Sequence, residues 1–289
     1  MSPESRARSG TASGRLRRKR ALLVVAVLAI ALVAVSAFLV VARPFDRSPQ
    51  PKAAIVDQMS LSSPNPTFIA SATSMLEKAG YAVDYYPGEN VTVDFYRELP
   101  SQDYKLIIMR AHSAVPGENL IIRGEASAAT VERVTAAIAK DTVLFTSEPY
   151  SKTKYLDEQV ALRLFPVQYY GIAPGTSEYF AIGPEFIRSS MRGEFDETTV
   201  VLVGCSGLMF ERTAAALVEK GAGAVVGWTN LVSADHTDAA TERLLQHLLT
   251  EGLTPGEAVA KTMTEVGPDP SYGSVLRIYP PEAAALALP

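Results

Sequence analysis

The sequence predicts an α/β domain, a three-layer sandwich with a mostly parallel central sheet, preceded by one transmembrane helix. The domain is predicted because short apolar strands alternate with helical segments from residue 53 onward, and such alternation is typical of a parallel sheet covered on both faces. The transmembrane helix is predicted because residues 21–42 form an uninterrupted apolar run without a charge.

Residues 21–42 contain a single hydroxyl, that of Ser36, and present no polar face. A helix of this length spans roughly 30 Å, the thickness of the hydrocarbon core of a bilayer. The competing interpretation is a cleavable signal peptide with a small-residue site at 35–37 or 40–42. The apolar region of a signal peptide normally runs for about 7 to 15 residues, which is shorter than this segment. We therefore predict a signal anchor.

Basic residues predict the orientation of this anchor. Seven lysines and arginines precede the span, whereas only Arg43, Arg47 and Lys52 follow closely. By the positive-inside rule, residues 1–20 form a cytoplasmic basic tail. Residues 43–52 form a Pro-rich linker, and residues 53–289 form an extracytoplasmic domain.

The composition excludes several classes of function. The chain is 47% hydrophobic and 20% charged with a net charge of −4, and no block of Lys/Arg occurs beyond residue 20. Nucleic-acid binding is therefore not expected. The glycines form no Walker or dinucleotide-binding pattern, and the histidines have no metal-ligand spacing. We expect neither a cofactor nor a metal.

The predicted elements follow one another along the domain. Asn65 and Pro66 are a cap and a first helical residue, and Thr254 with Glu257 forms a capping box. The region 147–197 predicts a hairpin, a helix near 184–191 and long loops. Strands are predicted at 53–57, 81–86, 105–109, 142–146, 198–203, 222–228 and 274–279. Further helices are predicted at 91–99, 127–140, 208–220 and 237–250.

Two polar residues follow strands that are apolar throughout and therefore expected to be central. His112 comes after the strand at 105–109, and Cys205, the only cysteine, after the strand at 198–203. Ligands bind beyond the carboxyl ends of such strands. Alone, His112 could be a loop histidine bonded to backbone and Cys205 a small buried side chain. Their joint placement favours a catalytic pair.

A cysteine and a histidine in this arrangement suit nucleophilic catalysis. A thiolate attacks a carbonyl, and an imidazole moves the proton. The predicted helix at 208–220 would place Cys205 just before a helix N-terminus, which would lower the thiol pKa. Gly204 and Gly207 would allow a sharp turn with amides free to bind an oxyanion. Of the other histidines, His247 is expected on the exposed side of its helix and His236 near the cleft.

The segments KLIIMRAHS and TTVVLVGCSG, followed by GAGAVVGWTNLVSADHTDAATERLLQHLL and TPGEAVAKTM, resemble the caspase-like cysteine peptidases of clan CD. The similarity is closest to the separase, CHAT and gingipain branches and covers nearly all of residues 53–280. It implies the caspase-like form of the α/β sandwich.

The resemblance also implies roles for individual residues. His112 would be the general acid/base and Cys205 the nucleophile, while Gly204 and the backbone around Ser113 would form the oxyanion hole. The family usually has glycine where this chain has Ser113. An acidic residue, here Asp57 or Asp235, would bind an Arg or Lys of the substrate. Asp57 could equally cap the loop after its strand.

The sequence thus predicts a membrane-anchored cysteine endopeptidase with a His112–Cys205 dyad that cleaves after Arg or Lys. Its partners would be a peptide or protein substrate and, through residues 21–42, the lipid bilayer. One alternative is a catalytically inactive caspase-like module that binds a peptide or protein at the cell surface. A second alternative is an acyl-transferring or other thiol hydrolase.

Overall fold

Two β-sheets organise residues 50–116, 128–168 and 178–286, which are the residues that the computed structural model describes. The strands in these ranges are β1 Lys52–Asp57, β2 Ala82–Pro87, β3 Tyr104–Arg110, β4 Ser113–Ala114, β5 Val143–Pro149, β6 Leu164–Val167, β7 Tyr179–Ile182, β8 Thr199–Leu202, β9 Ala224–Trp228 and β10 Leu276–Tyr279.

Helices connect most of these strands. The α-helices are α1 Pro66–Lys78, α2 Val93–Glu98, α3 Ala128–Ile138, α4 Leu156–Val160, α5 Pro184–Ser189, α6 Arg212–Glu219, α7 Ala234–Leu245 and α8 Pro255–Glu265. Short 3-10 turns lie at Gln58–Leu61, Gly88–Asn90, Leu99–Gln102 and Pro281–Ala285, and a π-helical turn at Gln246–Thr250 extends α7.

The larger sheet has the order β10-β9-β8-β3-β1-β2. Its strands run parallel except for β10, which pairs antiparallel with β9. Alternate residues of each strand face opposite sides, so Ile107 and Met109 pack under α5 and α6, whereas Leu106 and Ile108 pack under α1, α7 and α8. This arrangement confirms the prediction of an α/β domain with a mostly parallel central sheet and helices on both sides.

The smaller sheet differs from what the sequence predicts. Its order is β4-β5-β7-β6, with antiparallel pairing throughout. The predicted hairpin corresponds to β6 and β7, and the predicted helix near residue 184 to α5. The strand predicted at 142–146 is β5. It belongs to this second sheet and not to the central one, because it pairs with β4, the short strand that directly follows His112.

No helix within the described residues is long and apolar enough to cross a membrane. The predicted transmembrane segment 21–42, the basic tail 1–20 and most of the linker lie outside the described residues.

Candidate active site

The ends of β3 and β8 lie side by side at the centre of the larger sheet. Met109 pairs with Leu202, and the Val203 amide donates to the Met109 carbonyl at 2.8 Å. Just beyond, a Cβ atom on Gly204 would lie 2.1 Å from the Ala111 carbonyl oxygen. Glycine is therefore required where the two chain segments cross.

Four predicted site residues lie in the two segments that cross here: His112, Ser113, Gly204 and Cys205. The Ser113 hydroxyl donates to the Cys205 carbonyl oxygen, and the Ser113 oxygen would lie 3.6 Å from a Cβ on Gly204. His112 and Cys205 thus belong to two segments in direct contact. Ser113 bonds to the backbone of the proposed nucleophile, which glycine in its place could not do.

His112 is held by the loop that follows β1. Its backbone amide donates to Gln58 Oε1 at 3.0 Å, and its ring Nε2 lies 2.7 Å from the Ser62 hydroxyl oxygen. Its carbonyl accepts from the Phe145 amide at 2.9 Å, and the two rings lie 6.0 Å apart. These contacts set the position of the imidazole from one side.

The environment keeps the His112 ring neutral. Burial, together with the positive charge of Arg110, lowers the pKa of His112 from 6.5 to about 4. At neutral pH the ring is therefore in the form that can accept a proton.

Arg110, the last residue of β3, lies in a buried ionic cluster beside His112. Its guanidinium donates to both oxygens of Asp238 at 2.8 and 2.9 Å, to Asp57 Oδ1 at 2.8 Å and to the Ser63 carbonyl at 2.6 Å. Two carboxyl groups therefore face one guanidinium. Burial raises the pKa of Asp57, although the hydrogen bond and the charge of Arg110 oppose it.

The two acids predicted to bind substrate occupy different surroundings. Asp57 is 1% exposed, and its second oxygen accepts from the Tyr85 hydroxyl at 3.2 Å, so both of its oxygens have donors on the chain. Asp235 is exposed in the first turn of α7. In this conformation Asp57 is a counterion of Arg110.

Cys205 lies in a turn, which corrects the prediction of a helix starting at residue 208. Helix α6 begins only at Arg212. Ser206 adopts φ +55° and donates its amide to the Asn230 carbonyl, while the Leu208 amide donates to the Trp228 carbonyl. These two contacts tie the segment to Trp228 at the end of β9 and to Asn230 just beyond it, and residues 205–209 form a turn in place of the first helical residues.

The prediction of a lowered thiol pKa is accordingly wrong. With no helix N-terminus at Cys205, burial dominates and raises the thiol pKa, and the negative charge of Asp269 adds to this effect. The thiol itself lies 3.5 Å from the Val232 carbonyl oxygen, to which it can donate. At neutral pH the resting pair is a thiol and a neutral imidazole.

The remaining histidines lie apart from this contact. The expectation that His247 is exposed is wrong: its side chain is fully buried, with Nδ1 3.0 Å from Glu251 and Nε2 3.3 Å from Glu265. Nδ1 is hydrogen-bonded to Glu251, just after the π-helical turn, whereas Nε2 makes no hydrogen bond within the described part of the chain although it lies near Glu265 of α8. His236 stacks near Trp228, and its Nε2 lies 3.2 Å from the Gly267 carbonyl.

Three residues that act on the pair, two by hydrogen bonds to His112 and one by its charge on Cys205, carry no local sequence signal. Gln58 and Ser62 precede His112 by 54 and 50 residues, and Asp269 lies beyond α8. Only the tertiary fold therefore brings these residues to the site.

Within the described residues, no group of three or more His, Cys, Asp or Glu side chains could hold a metal. No protein-family model and no curated protein matches the chain.

Proposed function

We propose that this chain is a membrane-anchored cysteine endopeptidase of the caspase-like type. Cys205 is the nucleophile, His112 is the general acid/base, and the domain lies on the extracytoplasmic side. The observation that carries the proposal is the contact between the segments 111–113 and 204–205, at the carboxyl ends of two adjacent central strands. Ligands bind at this edge in open α/β sheets.

The protonation states disfavour a thiolate–imidazolium pair at rest, so the proton moves only during the attack. Because the resting thiol is protonated and the imidazole is neutral, His112 takes the proton as the Cys205 sulfur attacks the peptide carbonyl. The same proton then passes to the leaving nitrogen, the C–N bond breaks and a thioester remains. Water adds to the thioester, its proton passes through His112 to sulfur, the C–S bond breaks, and the acid product leaves.

Substrate binding must bring the two side chains into line. In the resting chain the His112 ring faces the Ser62 hydroxyl, and the Cys205 thiol faces the Val232 carbonyl. A peptide entering between the two loops displaces one or both contacts. A preference for Arg or Lys would need an acid that is free to bind the substrate. Asp57 is ion-paired with Arg110, and Asp235 is exposed on α7.

Cleavage of a peptide library by the whole purified chain tests the proposal. We expect the wild type to cleave, Cys205→Ala to be inactive, and His112→Ala to lose activity by about a hundredfold or more, as is typical for a general base. His236→Gln is the matched control, since its amide can still donate to the Gly267 carbonyl. Cleavage that persists in Cys205→Ala would contradict the proposal.

A second candidate is a non-catalytic module that binds a peptide. The raised thiol pKa and the contact of the His112 ring with Ser62 favour it. If the wild type cleaves nothing in the library yet retains particular peptides on the immobilised chain, and Cys205→Ala retains them equally well, this second function is the correct one.

A further inference from the structure

We propose that Asp269 is a positioning residue that holds the loop 229–233 against the Cys205 thiol. The inference deepens the proposed function, because it names a residue that controls the nucleophile. We call residues 229–233 and 267–274 the paired loops.

The Asp269 carboxylate joins the paired loops at one point. The residue is 1% exposed. Its Oδ2 accepts from the Ser233 amide at 2.9 Å and from the Ser233 hydroxyl at 2.8 Å, and its Oδ1 accepts from the Ser271 and Tyr272 amides at 2.9 Å each. Four donors on two loops therefore converge on one buried side chain.

Further backbone contacts link the paired loops to the turn that carries the thiol. The Asn230 amide donates to Ser274 Oγ at 2.9 Å, and the Asn230 carbonyl accepts from the Ser206 amide at 2.8 Å. Val232, directly before Ser233, supplies the carbonyl that faces the thiol. The path from Asp269 through Ser233 and Val232 to Cys205 is thus short and covalently continuous on the loop.

The charge of Asp269 acts on the thiol as well. Burial opposes ionisation of this carboxyl, but the hydrogen bonds from Ser233, Tyr272 and Ser271 outweigh it and lower its pKa. The resulting negative charge is close enough to disfavour a thiolate at Cys205. Asp269 therefore adds to the effect of burial in keeping the resting thiol protonated, and it also fixes the loop against which a substrate would lie.

Alkylation of Cys205 by iodoacetamide, measured across pH on the whole chain, tests this role. In Asp269→Asn the Oδ1 atom can still accept from Ser271 and Tyr272, but the new amide group faces the Ser233 donors. We expect the alkylation rate near neutral pH to rise about tenfold, because both hydrogen bonds from Ser233 are lost together with the negative charge that disfavours the thiolate. The pH midpoint should fall with it.

Ser233→Ala removes only the hydroxyl contact and keeps the backbone one. We expect a smaller rise, about fivefold, as for the loss of a single hydrogen bond. Glu257→Gln is the control, because it disturbs a carboxylate that likewise caps backbone, in the Thr254 capping box of α8. It should leave the alkylation rate and its pH midpoint unchanged.

The outcomes separate this role from the proposed function, since alkylation needs no substrate. If the rates change as expected but the wild type cleaves nothing, Asp269 positions the loop and the peptidase proposal fails. If the wild type cleaves but Asp269→Asn and Ser233→Ala alkylate with wild-type rates and midpoints, the positioning role is refuted. Should Asp269→Asn not fold, Ser233→Ala alone decides.

Discussion

The two halves of the candidate site are held in different ways. The main chain of His112 bonds to Gln58 and Phe145, but its ring bonds to the exposed Ser62 hydroxyl at the surface. Cys205 is held within the crossing: its carbonyl accepts from the Ser113 hydroxyl, its neighbour Ser206 bonds to the Asn230 carbonyl, and its thiol faces the Val232 carbonyl.

The two kinds of contact leave different freedom to the cysteine and to the histidine ring. Backbone contacts in a crowded crossing leave the cysteine little freedom, whereas the histidine ring is restrained at Nε2 by a hydroxyl at the surface.

The largest effect is expected on the histidine side, from Arg110→Met. The substitution leaves Asp57 and Asp238 buried without their shared cation. Removing one partner of a buried ion pair costs about 3–5 kcal/mol. Urea unfolding should show a loss of this size. Arg188→Met, which removes a partly exposed arginine paired with Glu219, should cost less than about 1 kcal/mol. Equal losses in the two variants would show that the cluster is not specially coupled.

On the cysteine side, Gly204→Ala should be the most damaging change. The added Cβ would meet the Ala111 carbonyl, a backbone atom that cannot rotate away. We expect a loss of about 3 kcal/mol in unfolding free energy, at the upper end for overpacking, together with altered alkylation of Cys205. Gly207→Ala is the control, because its nearest neighbours are Leu202 side-chain atoms at 3.1 Å, and it should cost about 1 kcal/mol. A tolerated Gly204→Ala would contradict the close crossing.

The fold could be predicted further than the site. The apolar runs of β1, β3, β8 and β9 identified the central sheet because these strands are buried on both faces. The start of α6 could not be predicted, because the turn at residues 205–209 is tied to β9 and to Asn230 by contacts between segments far apart in sequence. His247 was misplaced for a similar reason, since its partner Glu265 comes from another helix. Gln58, Ser62 and Asp269 approach the pair only through tertiary contacts.

The pH dependence of stability should report on His112. Its pKa is 6.5 in the unfolded chain and about 4 in the folded one, so the unfolded chain binds more protons between these values. Stability should therefore fall as pH decreases from 6.5 to 4, by at most about 3 kcal/mol from this group. His112→Asn should remove that part of the slope in denaturant titrations, whereas His236→Gln, which retains His112, should keep it. An unchanged slope in His112→Asn would show that the folded ring is not held neutral.

The smallest effect is expected from Ser62→Ala, which removes one surface hydroxyl contact to the His112 ring. Stability should change by less than about 1 kcal/mol, and the alkylation rate of Cys205 should stay at the wild-type value. The matching change on the other side, Ser233→Ala, is expected to raise that rate. If Ser62→Ala and Ser233→Ala alter the alkylation rate equally, the surroundings of His112 and of Cys205 affect the thiol in the same way.

The most direct test of the central claim is labelling of Cys205 by an electrophilic peptide, followed by intact mass. We expect one label on the wild type, none on Cys205→Ala, and labelling slowed about a hundredfold in His112→Ala, while iodoacetamide reacts with His112→Ala and the wild type at similar rates. Equal labelling of the wild type and His112→Ala by the peptide would contradict a catalytic dyad.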